Sequence, residues 1–260
     1  MKYYVIDVFT DEMFKGNAAG VCLLEKWLDD DILQKIASEN NLSETAYLVK
    51  KDGYYDLRWF TPTVEVDLCG HATLASAFVI MNFVDTDINK LNFKTKSGIL
   101  TVEKAKDLYV LDFPSRKPQQ TRITEQMRRA ICASIAESYT SNNSRDLLLV
   151  LIDERQVQYA TPNFELLKQI AGHMVMITAR GDNCDFVSRV FVPNVGINED
   201  PVTGSAHCTL IPYWSEKLGK TEMTAKQISK RSGVLYCEDA GERVKIGGKA
   251  VCYLAGEIKI

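Results

Sequence analysis

The 260-residue sequence has no stretch of positive charge long enough to grip a phosphate backbone. Its basic clusters reach only pairs such as Arg128-Arg129 and Lys230-Arg231, and 31 Lys and Arg against 34 Asp and Glu leave a net charge of −3. A nucleic-acid partner is excluded. Long apolar runs are missing too. The longest purely aliphatic stretch, Leu147 to Ile152, is far shorter than the roughly 20 residues that cross a bilayer, so a membrane partner is also excluded. At the N-terminus, Asp7 and Asp11-Glu12 interrupt the apolar residues too early for a secretion signal, and a cytoplasmic location is expected. The seven cysteines, at 22, 69, 132, 184, 208, 237 and 252, are odd in number and show no C-x-x-C spacing. That pattern suits reduced thiols, and it predicts neither a disulfide framework nor a bound metal.

What is present is ordinary for a folded protein: 46% hydrophobic and 25% charged residues. The length favours two modest domains. Tyr3 to Phe9 and Ala18 to Leu24 read as strands joined by a turn-rich loop. Asp29, Asp30 and Asp31 suit the start of a helix with the stripe Leu28, Ile32, Leu33, Ile36 and Ala37, stopped at Asn40-Asn41. Strands follow at Thr45 to Val49 and Tyr54 to Phe60. A helix from Gly70 to about Phe83 then has almost no polar face, which predicts enclosure on most sides. Three further strands lead to Pro114 to Gln120, the most linker-like stretch, so the domains are placed at 1–114 and 115–260. Beyond it, Thr124 caps a helix carrying Met127, Ile131 and Ile135. Leu147 to Ile152 and Val157 to Tyr159 read as strands, and Thr161-Pro162 starts a helix that ends near Gly172. Met174 to Thr178 and Phe186 to Val192 are strands. An apolar helix begins at Gly204, Pro212 should kink it, and three more strands close the chain.

One pattern occurs twice. Phe60-x-Pro62-x-Val64 followed by Asp67-Leu68-Cys69-Gly70-His71-Ala72 is echoed by Phe191-x-Pro193-x-Val195 followed by Asp200-Pro201-Val202-Thr203-Gly204-Ser205-Ala206, with three extra residues in the second copy. Helix then strand precedes each copy, at 29 to 49 and at 124 to 151, which argues for duplication. Each half is expected to be a sheet curled around its apolar helix, with a cleft where the halves face each other. Helix starts at Gly70 and Gly204 meeting there would offer unpaired N–H groups and dipole ends to an anion such as a carboxylate.

Four motifs in order resemble the PhzF-like phenazine-biosynthesis isomerase family: Gly16-Asn17, then Asn41-Leu42-Ser43-Glu44-Thr45-Ala46, Leu68-Cys69-Gly70-His71-Ala72-Thr73, and Glu199-Asp200-Pro201-Val202-Thr203-Gly204-Ser205-Ala206-His207, with Pro212-Tyr213-Trp214 behind them. The resemblance implies an α+β, diaminopimelate-epimerase-like fold. It has two pseudo-symmetric domains, each a curled mixed sheet around a central helix, and the last strand able to return to the first domain. It further implies a homodimer and a junction site that uses neither metal nor cofactor. Carried over by position, Glu44 is the group that moves a proton within a dihydro-hydroxyanthranilate-like substrate. His71 and Asp200 stand beside it as catalytic residues, and Asn17, Gly70, Gly204 and Ser205 as substrate-binding ones. The partner so implied is a small carboxylate-bearing metabolite.

The chemistry is coherent by itself, since an allylic proton shift needs one group that takes a proton and returns it at another carbon. A carboxylate in a site that excludes water can do both. Plainer readings stand beside it. A glutamate at a strand start is ordinarily solvated, Cys69 reads as an inert core thiol, and His207 as a satisfied core histidine. Asp67 and Asp200 could serve only as helix caps, and His173 carries no signal. Related epimerases and racemases use a cysteine in each half. Here Cys69 fills one place and Thr203 the other, which leaves a one-cysteine epimerase using Cys69, or a non-catalytic binding protein, as the alternatives. The early motif also has Ala18 where many relatives carry proline after the asparagine.

Overall fold

A computed structural model describes residues 1–141, 145–170 and 172–260. The chain divides into two compact units, Met1–Asp112 with Gly247–Ile260, and Phe113–Ile246.

In the first unit, β1 (Lys2–Val8) pairs antiparallel with β2 (Asn17–Leu24). Helix α1 (Asp30–Asn40) then returns the chain to β3 (Glu44–Lys50), which lies parallel to β2. β4 (Tyr55–Phe60) pairs antiparallel with β3 and carries the two-residue β5 (Glu65–Val66). Helix α2 (Gly70–Val79) follows and ends in a π-helical turn over Ile80–Val84, where Asp85 N donates to Ile80 O at 2.8 Å. β6 (Lys90–Thr95) comes back parallel to β4, and β7 (Gly98–Ala105) and β8 (Leu108–Pro114) continue antiparallel.

The reason the first strands read as near-continuous apolar runs is that both their faces are covered. α2 lies against β1, β2, β3 and β7. α1 buries Leu33, Ile36 and Ala37 against Tyr3, Val5, Cys22, Tyr47 and Phe60 on the other face. The few hydroxyls of α2 satisfy themselves: Thr73 Oγ1 donates to Cys69 O at 2.6 Å and Ser76 Oγ to Ala72 O at 2.7 Å. That leaves the helix able to be enclosed.

The second unit repeats the pattern. β9 (Gln119–Gln120) precedes α3 (Glu125–Ile131) and pairs with β10 (Ile135–Ser141), which pairs antiparallel with β11 (Asp146–Leu151). Helices α4 (Glu154–Tyr159) and α5 (Phe164–Ile170) lead to β12 (Met174–Arg180), parallel to β11. β13 (Phe186–Val192) is antiparallel to β12 and carries β14 (Ile197–Asp200). α6 (Gly204–Leu218) then precedes β15 (Glu222–Gln227), parallel to β13, and β16 (Gly233–Asp239), antiparallel to β15. β17 (Arg243–Gly248) and β18 (Ala250–Glu257) complete the chain, with β18 antiparallel to β1. Strand for strand, β18-β1-β2-β3-β4-β6 matches β9-β10-β11-β12-β13-β15. Each set places a short extra strand on its fifth member and an apolar helix straight after that strand. Among the described residues no helix is long and apolar enough to cross a membrane.

The structure corrects five readings. Val157 to Tyr159 is helical, because Asp153 Oδ1 accepts from Gln156 N at 2.8 Å and caps α4, whose one buried residue is Val157. The helix capped by Thr124 stops at Cys132, left-handed at φ 55°, so Ile135 opens a strand instead. α5 starts later than Thr161-Pro162, with Asn163 Oδ1 accepting from Leu166 N at 3.1 Å. The counterpart of α1 is therefore α4 with α5, between the parallel strands, and α3 is an addition. Four strands, not three, follow α6.

Each unit also has an arginine two residues before its repeat phenylalanine. Arg58 on β4 grips Glu65 on β5 through Nε and Nη2 at 2.7 and 2.9 Å, over the Phe60 ring. Arg189 on β13 grips Glu199 on β14 through the same atoms at the same distances, over Phe191. These forked pairs pin the short strand that delivers the chain to α2 or α6.

Candidate active site

In the first unit, Asn17, Glu44, Cys69, Gly70 and His71 come together from three elements. Gly16 sits at φ +65°, and a Cβ there would meet Val8 O at 2.1 Å, so only glycine can turn the chain tightly enough to start β2 with a buried Asn17. Glu44 opens β3, in register with Ala19 on β2. Cys69 is the extended residue before α2, and His71 lies in the helix's first turn.

His71 Nε2 stands 3.1 Å from Glu44 Oε2, with side chains 6% and 16% exposed. This is close enough to pair charges, though without the alignment of a hydrogen bond. On the other side of the ring, Nδ1 is 3.4 Å from Asn17 Nδ2 and 3.6 Å from Cys69 Sγ. One neighbour suits each protonation state: the neutral ring accepts from the Asn17 amide, and the imidazolium turns its Nδ1–H toward the sulfur. Burial alone would lower the His71 pKa, but the facing Cys69 and Glu44 outweigh it and hold the value well above the ordinary one. The Cys69 thiol is pushed up, first by burial and then by Glu44.

In the second unit, Thr203 takes the place of Cys69 before α6. Its hydroxyl does not cap the helix but donates to Asp200 Oδ2 at 2.5 Å. Fully buried Gln227 braces this turn, accepting from Thr203 N at 2.9 Å and donating to Asp200 O at 2.7 Å. Asp67 and Asp200 are thus not the N-cap residues of their helices; those are Cys69 and Thr203, and neither side chain accepts from the first turn. Gly204 is buried and Ser205 half-buried at that uncapped start.

His207 Nδ1 meets Thr203 O at 2.9 Å, but its Nε2 is buried with no partner among the described residues. The core histidine is half satisfied, and burial lowers its pKa to about 4. His173, without signal in the sequence, pairs with buried Asp146 at 3.0 Å.

Sequence reasoning missed Gln227, whose bracing follows from no local pattern, and the two Arg–Glu pairs. The latter had a signal: Arg58 and Arg189 stand at the same offset from the repeated phenylalanines.

The sequence pattern of the family described as "Phenazine biosynthesis-like protein" matches residues 6–256. The chain belongs to that family. It is 48% identical over 257 residues to an uncharacterized isomerase of Pseudomonas aeruginosa, covering 99% of this chain and 98% of that protein. A crystal structure of a PhzF-family phenazine biosynthesis protein from Enterococcus faecalis superposes with a TM-score of 0.97 at 49% identity, over 100% of this chain and 99% of that one. A probable proline racemase from Agrobacterium radiobacter shares the fold, with a TM-score of 0.65 at 10% identity, 100% of this chain and 93% of that one. The α+β epimerase-like fold class expected from the motifs is the one present.

Proposed function

We propose that this PhzF-like protein is an isomerase that moves a proton within a small carboxylate-bearing molecule, with Glu44 as the acid and base and no cofactor. The observation that carries the reading is the shielded Glu44–His71 pair at 3.1 Å. Glu44 takes a proton from one carbon, the electron pair of that C–H bond shifts along the adjoining double bond, and the same carboxyl delivers the proton to the far carbon. Nothing is oxidised or reduced. His71 steadies the carboxylate before the first transfer and after the second, and can hold a substrate amine or hydroxyl. In the second unit, Asp200 suits a hydroxyl or amine, and Ser205 with the amides at Gly204 suits a carboxylate. A dihydro-hydroxyanthranilate-like compound has these groups.

A second reading, with Cys69 as the base of a one-cysteine epimerase, gains from its 3.6 Å approach to His71. Against it stands the raised thiol pKa, since the thiolate is the form that abstracts protons.

The test is NMR of trans-2,3-dihydro-3-hydroxyanthranilate in D₂O. Wild type is expected to isomerise it with deuterium entering the ring, and Glu44→Gln to be slower by about 10²-fold or more. Cys69→Ala keeps turnover if Glu44 is the shuttle and loses it if the thiol is. A ligand that binds wild type and Glu44→Gln equally, with no deuterium incorporated, would identify a binding protein instead.

A further inference from the structure

We infer that Glu44, Cys69 and His71 also form a three-ligand site for a thiophilic divalent cation, Zn²⁺, and that its binding silences the proton shuttle. The binding stands on geometry alone; the silencing rests on the function proposed above.

A carboxylate oxygen, a thiol sulfur and an imidazole nitrogen from these residues all lie within 4.8 Å of one another, and no other three such donors come as close among the described residues. The decisive distance is Cys69 Sγ to His71 Nδ1, 3.6 Å. Zinc bonds of about 2.3 Å to sulfur and 2.0 Å to nitrogen, at a tetrahedral angle, require an edge of about 3.5 Å. Two ligands therefore stand at bonding separation already, and Glu44 joins them by rotating its carboxylate away from Nε2. Sulfur, nitrogen and oxygen together select zinc over magnesium or calcium, which take oxygen alone. Thiolate and carboxylate would neutralise the dication, and the burial of Cys69 and His71 limits competition from water.

Binding releases protons, because the thiol must become thiolate and the ring must free Nδ1. Three protein ligands leave a fourth position for water. With Glu44 on the metal, its carboxyl can no longer carry a proton between two carbons. Cys69, idle in the proton shift, thus acquires a role. The sequence concealed it, because the third ligand comes from β3, 25 positions before Cys69.

Cobalt(II) is the probe. Titrated into the reduced 260-residue chain, it should give thiolate-to-cobalt charge-transfer absorption that saturates at one equivalent and is displaced by Zn²⁺. Cys69→Ser should abolish the band. Glu44→Gln should keep it while weakening Zn²⁺, in competition with a chromophoric chelator, by about tenfold or more. Cys132→Ser, which removes an exposed thiol elsewhere, should change neither. No band in wild type, or a band that survives Cys69→Ser, overturns the site, and undiminished Zn²⁺ affinity in Glu44→Gln overturns Glu44 as a ligand. If the serine variant does not fold by circular dichroism, the Glu44→Gln arm decides. One equivalent of Zn²⁺ should also stop turnover, restored by chelator; full turnover with the site loaded overturns the silencing. A metal-free wild type that turns nothing over counts against the shuttle, while the absorption assay still decides the metal site.

Discussion

At the scale of single residues, the charge on His71 is the quantity that sets how Glu44 behaves. The ring is buried, and the groups facing it raise its pKa well above the ordinary value. The charged ring is therefore favoured beyond the ordinary histidine range and is lost as the pH climbs through the raised value. If the charged ring steadies the Glu44 carboxylate, activity should fall on the alkaline side as His71 deprotonates. In His71→Gln, turnover should be lower and that alkaline limb should vanish, because glutamine does not titrate. A pH profile of kcat for both proteins checks this. Asn17 and Cys69 matter here because they serve opposite protonation states of Nδ1. Glu44 and His71 were legible in the sequence as motif members. Their mutual approach was not, because a strand start and a helix start 27 positions apart meet only once β3 and α2 pack.

At the scale of elements, the duplicated Arg–Glu grip explains how two short strands keep their place. β5 has two residues and β14 four, too few ladder bonds to hold a strand that carries the next helix. Arg189 does more than its counterpart, since Nη1 also donates to the carbonyls of Val157, Gln158 and Ala160 around the end of α4. Its side chain is 13% exposed and that of Glu199 22%, so solvent screens the pair only partly. Arg189→Leu should destabilise the protein by about 2–4 kcal/mol in urea unfolding, since it strands a shielded carboxylate and three carbonyls. Lys220→Ala, which breaks the exposed pair with Asp185, should cost less than about 1 kcal/mol. The repeat itself was legible, because phenylalanine, proline and glycine recur with similar spacing. Its helix partner was misassigned, because α4 buries only Val157 and α5 only Leu167, so neither has a stripe that a periodicity could reveal. Capping by Asp153 and Asn163 decides those helices, and a cap is a single residue easily read as a turn.

At the scale of the whole molecule, each unit buries one histidine in its core helix, and the two titrate in opposite directions. His207 on α6 is held neutral by burial, with Thr203 O on Nδ1 and the Phe186 ring tilted against it. Its folded pKa is about 4 against an ordinary 6.5. The unfolded chain therefore binds the extra proton between those values, and the second unit has full benefit above pH 6.5 and loses it as the pH falls toward 4. His71 on α2 has the reverse sign: its raised pKa contributes stability in full below the unfolded value and loses it as the pH rises through the folded one. Acid should loosen the second unit first, and alkali the first. Between pH 6.5 and 5, before most carboxylates protonate, the His207 contribution has a limiting slope of about 1.4 kcal/mol per pH unit. His207→Asn keeps a donor for Thr203 O and removes the titration, so urea unfolding of that variant should be nearly flat over this range. Backbone amide exchange, corrected for intrinsic rates, should show protection in α6 and β13 falling between pH 6.5 and 5 while that in α2 holds. Equal loss in both units would mean that the His207 proton is not what couples acid to unfolding.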